Sequence, residues 1–296
     1  LLVDSVKLNS ELGMRVLIAS ETFQHTGSFK FRAAYNVALN SSAPHLVTAS
    51  SGNFGQALAY ACQLTGKKCT VVMPVTSTKA KVDAVASFDA EVRLVDVGVK
   101  SRGEWLLDVL IELGTEVESV SPYDDDRVIE GNSTLADELV NYKSDFDSVI
   151  VPIGGGGLSA GLIEGFRRNG VEVKVYGAEP LLGNDAAQSL EKGEIVSNEK
   201  EPATIADGAR TLSLGKHNFP ILKSGLTEIL EVEESEIIAA MRSLFMQANL
   251  KSEPTGALSL AALMANKDRF EHKKPLIIVS GGNVDAAQYA KLIASN

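Results

Sequence analysis

The chain lacks any basic tract. Its cations come at most in pairs, such as Lys67-Lys68 and Lys273-Lys274, against a net charge of -10. Binding to a nucleic-acid backbone needs a positive stripe, so a nucleic-acid partner is excluded. Cysteine is nearly missing too: Cys62 and Cys69 are too few for a disulfide framework and lack the CxxC spacing, so both are expected reduced within packed structure. No run of 18 apolar residues exists, which argues against a membrane span. The opening Leu1-Leu2-Val3-Asp4 has no cation to start a signal peptide, and a cytoplasmic location is expected. Repeats and low-complexity tracts are likewise lacking.

What remains is an ordinary globular composition of 296 residues, 45% hydrophobic and 22% charged, long enough for one large or two modest domains. Its 25 glycines gather in short runs, which marks tight backbone sites. Short β-branched runs predict strands at 15–19, 45–48, 69–73, 91–95, 148–153, 174–178 and 275–280. Amphipathic stretches predict helices at 29–39, 55–64, 79–88, 102–113 and 158–168, with a last helix from Ala286 to Ser295 and no further module after it. This alternation predicts an α/β protein with parallel strands. The turn-rich Ser121 to Asp126 predicts a crossover between two lobes, and the polar stretch 190–208 a surface wrap.

Residues 148–166 carry the strongest local motif: an apolar strand, then Gly154, Gly155, Gly156 and Gly157, then a helix. Glycines let successive N–H groups converge, and the helix N-terminus adds positive potential, so a phosphate or carboxylate cradle is expected. Gly155-x-Gly157-x-x-Ala160, with Glu179 closing the next strand, also fits a dinucleotide fingerprint, so an NAD-binding oxidoreductase stays open at this point. Thr26-Gly27-Ser28-Phe29-Lys30 opens a helix, with small polar residues placed to cap it. A lysine at that positive end, beside an aromatic ring, is a candidate for a lowered pKa and nucleophilic use. Two further polar turns, Ser50-Ser51-Gly52-Asn53 and Ser280-Gly281-Gly282-Asn283, also follow predicted strands. Strand-end loops of an open sheet gather at one crevice. Glu179, Gly183 and Asp185 form an oxygen set suited to Mg²⁺ or Ca²⁺.

Taken in order, TGSFKFRAA, SSGNFGQA, GGGGLSAG and SGGNVD resemble the serine/threonine dehydratase and serine racemase family of pyridoxal-phosphate enzymes, over essentially the whole chain. The resemblance implies the two-lobed, parallel-sheet-rich α/β architecture of the tryptophan-synthase-β-like class, fold type II. Residues 1–44 plus 123–296 would form a large cofactor-binding domain and 45–122 a small substrate-loop domain. It implies Lys30 as the Schiff-base lysine, with Phe29 beside the cofactor ring and Asn53 on its phenolic oxygen. Gly154 to Gly157 would hold its phosphate, and Ser280 would face its pyridine nitrogen. Ser50, Ser51, Gly52 and Asn53 would bind the substrate carboxylate, with Ser51 as a second acid/base.

The same resemblance assigns Glu179, Gly183 and Asp185 to a structural divalent ion and suggests a homodimer. The implied activity is loss of water, then ammonia, from a small β-hydroxy amino acid: serine, threonine or 3-hydroxyaspartate. A racemase with elimination as a side reaction is the alternative. Gly131-Asn132-Ser133-Thr134 departs from the Gly-Gln-Gly-Thr of many relatives, Tyr123 is expected to border the substrate, and Arg102 could reach the second carboxylate of an acidic one.

Overall fold

The computed structural model describes residues 1–294. Its strands are β1 (Leu2–Asp4), β2 (Leu17–Ser20), β3 (His45–Ala49), β4 (Lys68–Pro74), β5 (Glu91–Val95), β6 (Val117–Ser119), β7 (Ser148–Pro152), β8 (Lys174–Pro180), β9 (Leu226–Val232) and β10 (Pro275–Val279). They form two sheets, one ordered β1-β2-β10-β7-β8-β9 and the other β5-β4-β3-β6. Every pairing is parallel except the edge pair β1–β2. Central strands β7 and β10 are buried along their whole length, which is why they read as unbroken apolar runs.

The helices are α1 (Val6–Leu12), α2 (Lys30–Asn40), α3 (Asn53–Thr65), α4 (Lys79–Ala86), α5 (Arg102–Leu113) and α6 (Asp126–Leu139), followed by α7 (Gly157–Arg168), α8 (Asp185–Lys192), α9 (Asn218–Gly225), α10 (Glu234–Ala248), α11 (Pro254–Ala265) and α12 (Ala286–Ala294). The expected end of the last helix at Ser295 lies outside the described residues. No helix among the described residues is long and apolar enough to cross a membrane.

Each sheet has its own core. Phe54, Leu58 and Cys62 of α3 pack with Leu46, Val71 and Met73 beneath the four-stranded sheet. Phe31, Ala34 and Val37 of α2 join that same cluster, although α2 precedes residue 45. Under the six-stranded sheet, Leu258, Ala261 and Ala262 of α11 pack with Ile150, Ala178, Ile277 and Val279. After β6 the chain leaves the smaller sheet through Ser121–Asp125 and enters α6, which lies between α2 and α7. This close packing needs small residues: a Cβ on Gly131 would stand 2.6 Å from Arg32 O, and one on Gly161 2.6 Å from the Asn132 side chain. Residues 193–204 form no helix or strand before the chain turns back at Asp207–Ala209.

Candidate active site

The turns after β3, β7 and β10, together with the segment leading into α2, line one cavity of about 550 Å³. Carboxyl ends of strands from both sheets therefore converge on one crevice, as open parallel sheets favour. Three of these segments start helices that no side chain caps, whereas Asp285 caps α12 after β10 by accepting from Ala287 N and Gln288 N. Helix α2 follows Phe29, α3 follows Gly52 and α7 follows Gly156, each without a side-chain cap. The expected capping of α2 by small polar residues does not occur. Thr26 Oγ1 and Ser28 Oγ are buried with no partner, and the Thr26–Phe29 segment is pinned by main chain instead. Phe29 N donates to Ser280 O (2.9 Å), and Gly282 N to Gly27 O (2.9 Å). First-turn N–H groups have no intrahelical acceptor, so α2, α3 and α7 bring three positive helix ends to the cavity wall.

Lys30, the first residue of α2, stands among them. Its Nζ donates to Pro122 O at 2.7 Å and lies 4.9 Å from the Phe29 ring centroid and 5.8 Å from that of Phe54. Burial lowers the amine's pKa to about 8, opposed by the negative field of Glu253. A useful fraction is thus uncharged near neutrality, which nucleophilic or base chemistry requires.

The glycine turn is built from both sides. Gly156 has φ +89°, a conformation glycine adopts without a Cβ penalty. A Cβ on Gly155 would overlap the Tyr123 ring at 2.2 Å, and one on Gly154 would meet Gly208 O at 2.9 Å. Asn218 Nδ2 staples the turn by donating to Gly155 O (2.6 Å) and Tyr123 O (2.9 Å). After β10, the strand next to β7, Ser280 lines the same cavity, is 2% exposed and has a hydroxyl with no partner. An orphaned buried hydroxyl costs about 1–3 kcal/mol, and a ligand's hydrogen bond would remove that cost.

Asn53 opens α3. Its Nδ2 donates to Glu253 Oε1 (2.8 Å), and its Oδ1 accepts from Asn283 Nδ2 (2.8 Å). Ser50 is buried, while Ser51 and the exposed Gly52 stand on the cavity wall. Ser51 also borders an adjoining cavity of about 440 Å³ with Arg102, Lys81 and Glu201. Arg102 lines both cavities and pairs with Glu201 at 2.9 Å, and Lys81 pairs with Asp207 at 3.0 Å. Both ion pairs join helices of the smaller sheet to the 193–210 segment.

Glu179 and Asp185 lie outside this cavity. The Glu179 carboxylate accepts from Ala186 N and Ala187 N (both 2.9 Å), while Asp185 Oδ1 accepts from Asn198 Nδ2 at 2.8 Å and Oδ2 is buried without a partner. Burial holds Glu179 well above the usual carboxylate range and pushes Asp185 up to about 6. Glu179 is 1% exposed and does not line the cavity beside the glycine turn, where a ribose would lie. That removes the dinucleotide reading.

Sequence reasoning missed Glu253 and Asn218, and it placed Asn283 in a polar turn at the crevice without giving it a role. The signal for the first was present: an acid directly before Pro254 at the start of an apolar helix is an N-cap position. The other two act through bonds to residues 230 and 63 positions away, which no local pattern reveals.

Two α/β sheets, with uncapped helix ends and a lysine of lowered pKa at their common crevice, define a fold type II pyridoxal-phosphate enzyme. A family model described as "Pyridoxal-phosphate dependent enzyme" matches residues 1–281. The chain belongs to that family, and within it to the serine/threonine dehydratase and serine racemase group. It is 37% identical to an L-threo-3-hydroxyaspartate ammonia-lyase of Pseudomonas sp. over 97% of this chain and 90% of that protein. It is also 36% identical to a serine racemase of Schizosaccharomyces pombe over 98% and 90%. Among solved structures, a threonine deaminase of T.th. superposes with a TM-score of 0.88 at 40% identity, covering 96% of this chain and 92% of that one.

Proposed function

We propose that this chain is a pyridoxal-phosphate-dependent ammonia-lyase that removes water, then ammonia, from a small β-hydroxy amino acid. The observation that carries the reading is the Lys30 amine, lowered to about 8, in a cavity ringed by three uncapped helix N-termini. The names of the relatives place 3-hydroxyaspartate, serine and threonine as the substrates to test.

The residues present fit the cofactor. Gly154 to Gly157 and the α7 N-terminus would hold its phosphate. Lys30 would bind it covalently, Phe29 would flank the ring, Asn53 would donate to its phenolic oxygen, and the orphaned Ser280 hydroxyl would meet its pyridine nitrogen. Bound pyridoxal phosphate supplies an electron sink conjugated to the substrate Cα. Ser50, Ser51, Gly52 and Asn53 at the α3 N-terminus would take the α-carboxylate. Lys30, freed as an amine, would accept the Cα proton. The Cβ–O electron pair would leave with the hydroxyl, which that proton converts to water. Hydrolysis of the resulting unsaturated amine would release ammonia and the oxo acid. A serine hydroxyl does not hold a proton on a ring nitrogen as a carboxylate would, so the sink stays weak and favours substrates with a leaving group on Cβ. Arg102 would exchange Glu201 for the second carboxylate of 3-hydroxyaspartate, supported by its place on the cavity wall.

The test is to load the purified protein with pyridoxal phosphate, fix the adduct with borohydride and map the labelled peptide, alongside oxo-acid assays on the three substrates. A label on Lys30 and oxo acid from at least one substrate are expected. Label elsewhere, or no oxo acid from any of them, would refute the reading.

A divalent ion, Mg²⁺ or Ca²⁺, at Glu179, the Gly183 carbonyl and Asp185 is part of this proposal. Its support is the unpartnered Asp185 Oδ2 and the burial of both carboxyls, an environment that a cation would make favourable. The described residues hold no cluster of three His, Cys, Asp or Glu suited to a metal, so the carbonyl and waters would complete the set. EDTA is expected to lower the melting temperature and either ion to restore it; at a hundred times Kd the linkage is worth about 2.7 kcal/mol. An Asp185→Ala protein that responds to EDTA just as wild type does would sink the site.

We also propose the division of the chain into 1–44 plus 123–296 and 45–122, with α2 packed on the smaller lobe. A homodimer and a cytoplasmic location complete the reading. The compartment is supported by two buried free cysteines.

A further inference from the structure

One buried acid on the cavity wall has no part in the reaction derived above. Glu253 precedes Pro254 at the head of α11, is 4% exposed and lines the same cavity as Lys30. A carboxylate so deep normally has a cation against it. Glu253 makes no ion pair within 4 Å among the described residues. Its partners are amides: Asn53 Nδ2 at 2.8 Å and the main-chain N–H of Asn283. Main-chain bonds fix its place, since Glu253 N donates to Gly281 O at 3.1 Å, and Gly281 bridges to Ser28, two residues before the lysine.

The amide chain has a direction. Asn283 Nδ2 donates to both Thr26 O (2.7 Å) and Asn53 Oδ1, so the Asn53 carbonyl is taken. One Asn53 N–H goes to Glu253, and the free donor of that amide is its second N–H. Without an acceptor at Glu253 the Asn53 NH₂ group loses the bond that aims it, and the amide is held only through Oδ1 by Asn283.

We propose that Glu253 is a positioning residue for the two groups that would meet the cofactor: it orients the Asn53 amide as a donor, and it balances the charge of Lys30 across the cavity. The inference rests on the pyridoxal-phosphate reading of the site. The electrostatics support the Lys30 side of this coupling, where Glu253 raises the pKa of the amine. Burial, then the neighbouring Asp207, pushes the Glu253 carboxyl up to about 8, with Asn53 and Lys81 acting the other way. Burial brings the Lys30 amine down to about 8, opposed by Glu253. A proton can pass from one group to the other with no change in the net charge of the pair. Arg210, Lys251 and Asp285 also line the cavity.

The test uses the full chain freed of cofactor. The rate of pyridoxal-phosphate capture, followed by absorbance across pH, reports the uncharged fraction of Lys30. Glu253→Gln keeps an acceptor for Asn53 and removes the charge, so the midpoint of that profile should fall by about one pH unit. Glu253→Ala removes both and should also weaken cofactor retention at least tenfold, a loss that Gln rescues. A midpoint unmoved in Glu253→Gln, or equal retention in all three proteins, would overturn the proposal. A second arm needs neither cofactor nor a Glu253 variant. Carboxyl NMR of ¹³C-glutamate protein should show one buried glutamate whose titration moves to higher pH in Lys30→Ala, because the cation favouring its ionised form is gone. No glutamate responding to Lys30→Ala overturns the coupling. A coupling present in a chain that captures no pyridoxal phosphate would instead leave the charge balance standing and refute the enzyme assignment.

Discussion

Lys30→Ala is expected to abolish oxo-acid formation, by at least about ten-thousandfold, while the protein stays folded. The loss is large because one amine would do two jobs, holding the cofactor and accepting the Cα proton, and proton transfer alone contributes about 10²–10⁴. Folding should survive for a reason that comes from the same burial. The amine's pKa in the folded chain is about 8, below its ordinary 10.5, so protonation favours the unfolded state. The penalty is fully present below pH 8 and fades as pH rises towards 10.5. At neutral pH it amounts to at most about 3 kcal/mol, less the screening of a half-buried group. Replacing Lys30 removes that penalty and loses the packing of its methylenes against Phe29 and Phe54, so the two effects oppose each other. A melting temperature within a few degrees of wild type is expected, with non-covalent cofactor binding retained at the glycine turn. In wild type, turnover should rise with pH, because the base must be uncharged to act. Substantial elimination by the Ala protein, or turnover that falls as pH rises, would remove Lys30 from the role.

How far the sequence exposed this site depends on the physics behind each residue. Gly154 to Gly157 were legible because backbone geometry restricts what can stand there: Tyr123 and Gly208 leave no room for a Cβ, and Gly156 needs a positive φ. Lys30 was legible as a cation at the wrong end of a helix. The alternation of strands and helices was legible for strands buried on both faces, such as β7 and β10. It failed for β9, an edge strand with polar residues between apolar ones, and for α11, buried on nearly all sides and so without an amphipathic period. Helix α6 was hidden because Gly131-Asn132-Ser133-Thr134 has weak helix propensity, overridden by packing between α2 and α7. Capping was misread for a functional reason. Thr26 and Ser28 look like caps by type, yet α2 leaves its end open, as do α3 and α7. An uncapped helix end is locally unfavourable and becomes useful only where a ligand anion fills it.

Ser51→Ala is expected to separate the two stereochemical halves of the reaction. Racemisation needs a proton delivered to the face of Cα opposite Lys30, so a second acid/base must stand across the cavity. Ser51 lines that cavity and the adjoining one, next to the open α3 N-terminus that would hold the substrate carboxylate. Wild type should therefore eliminate water from L-serine or a β-substituted relative and also racemise serine, at a lower rate. In Ser51→Ala, racemisation and D-serine elimination should fall by at least about a hundredfold, the low end of what a positioned acid or base contributes. Elimination from the L-enantiomer should keep more than about a tenth of its rate, since Lys30 still works from its own face. Ser51 is only half-buried, and α3 starts from Gly52 without a side-chain cap, so removing the hydroxyl should leave the fold and the helix N-terminus intact. Chiral chromatography of the serine pool beside an oxo-acid assay measures both arms in one reaction. Equal loss of both would assign Ser51 to substrate binding instead, and a wild type that yields no D-serine would leave the enzyme a lyase alone.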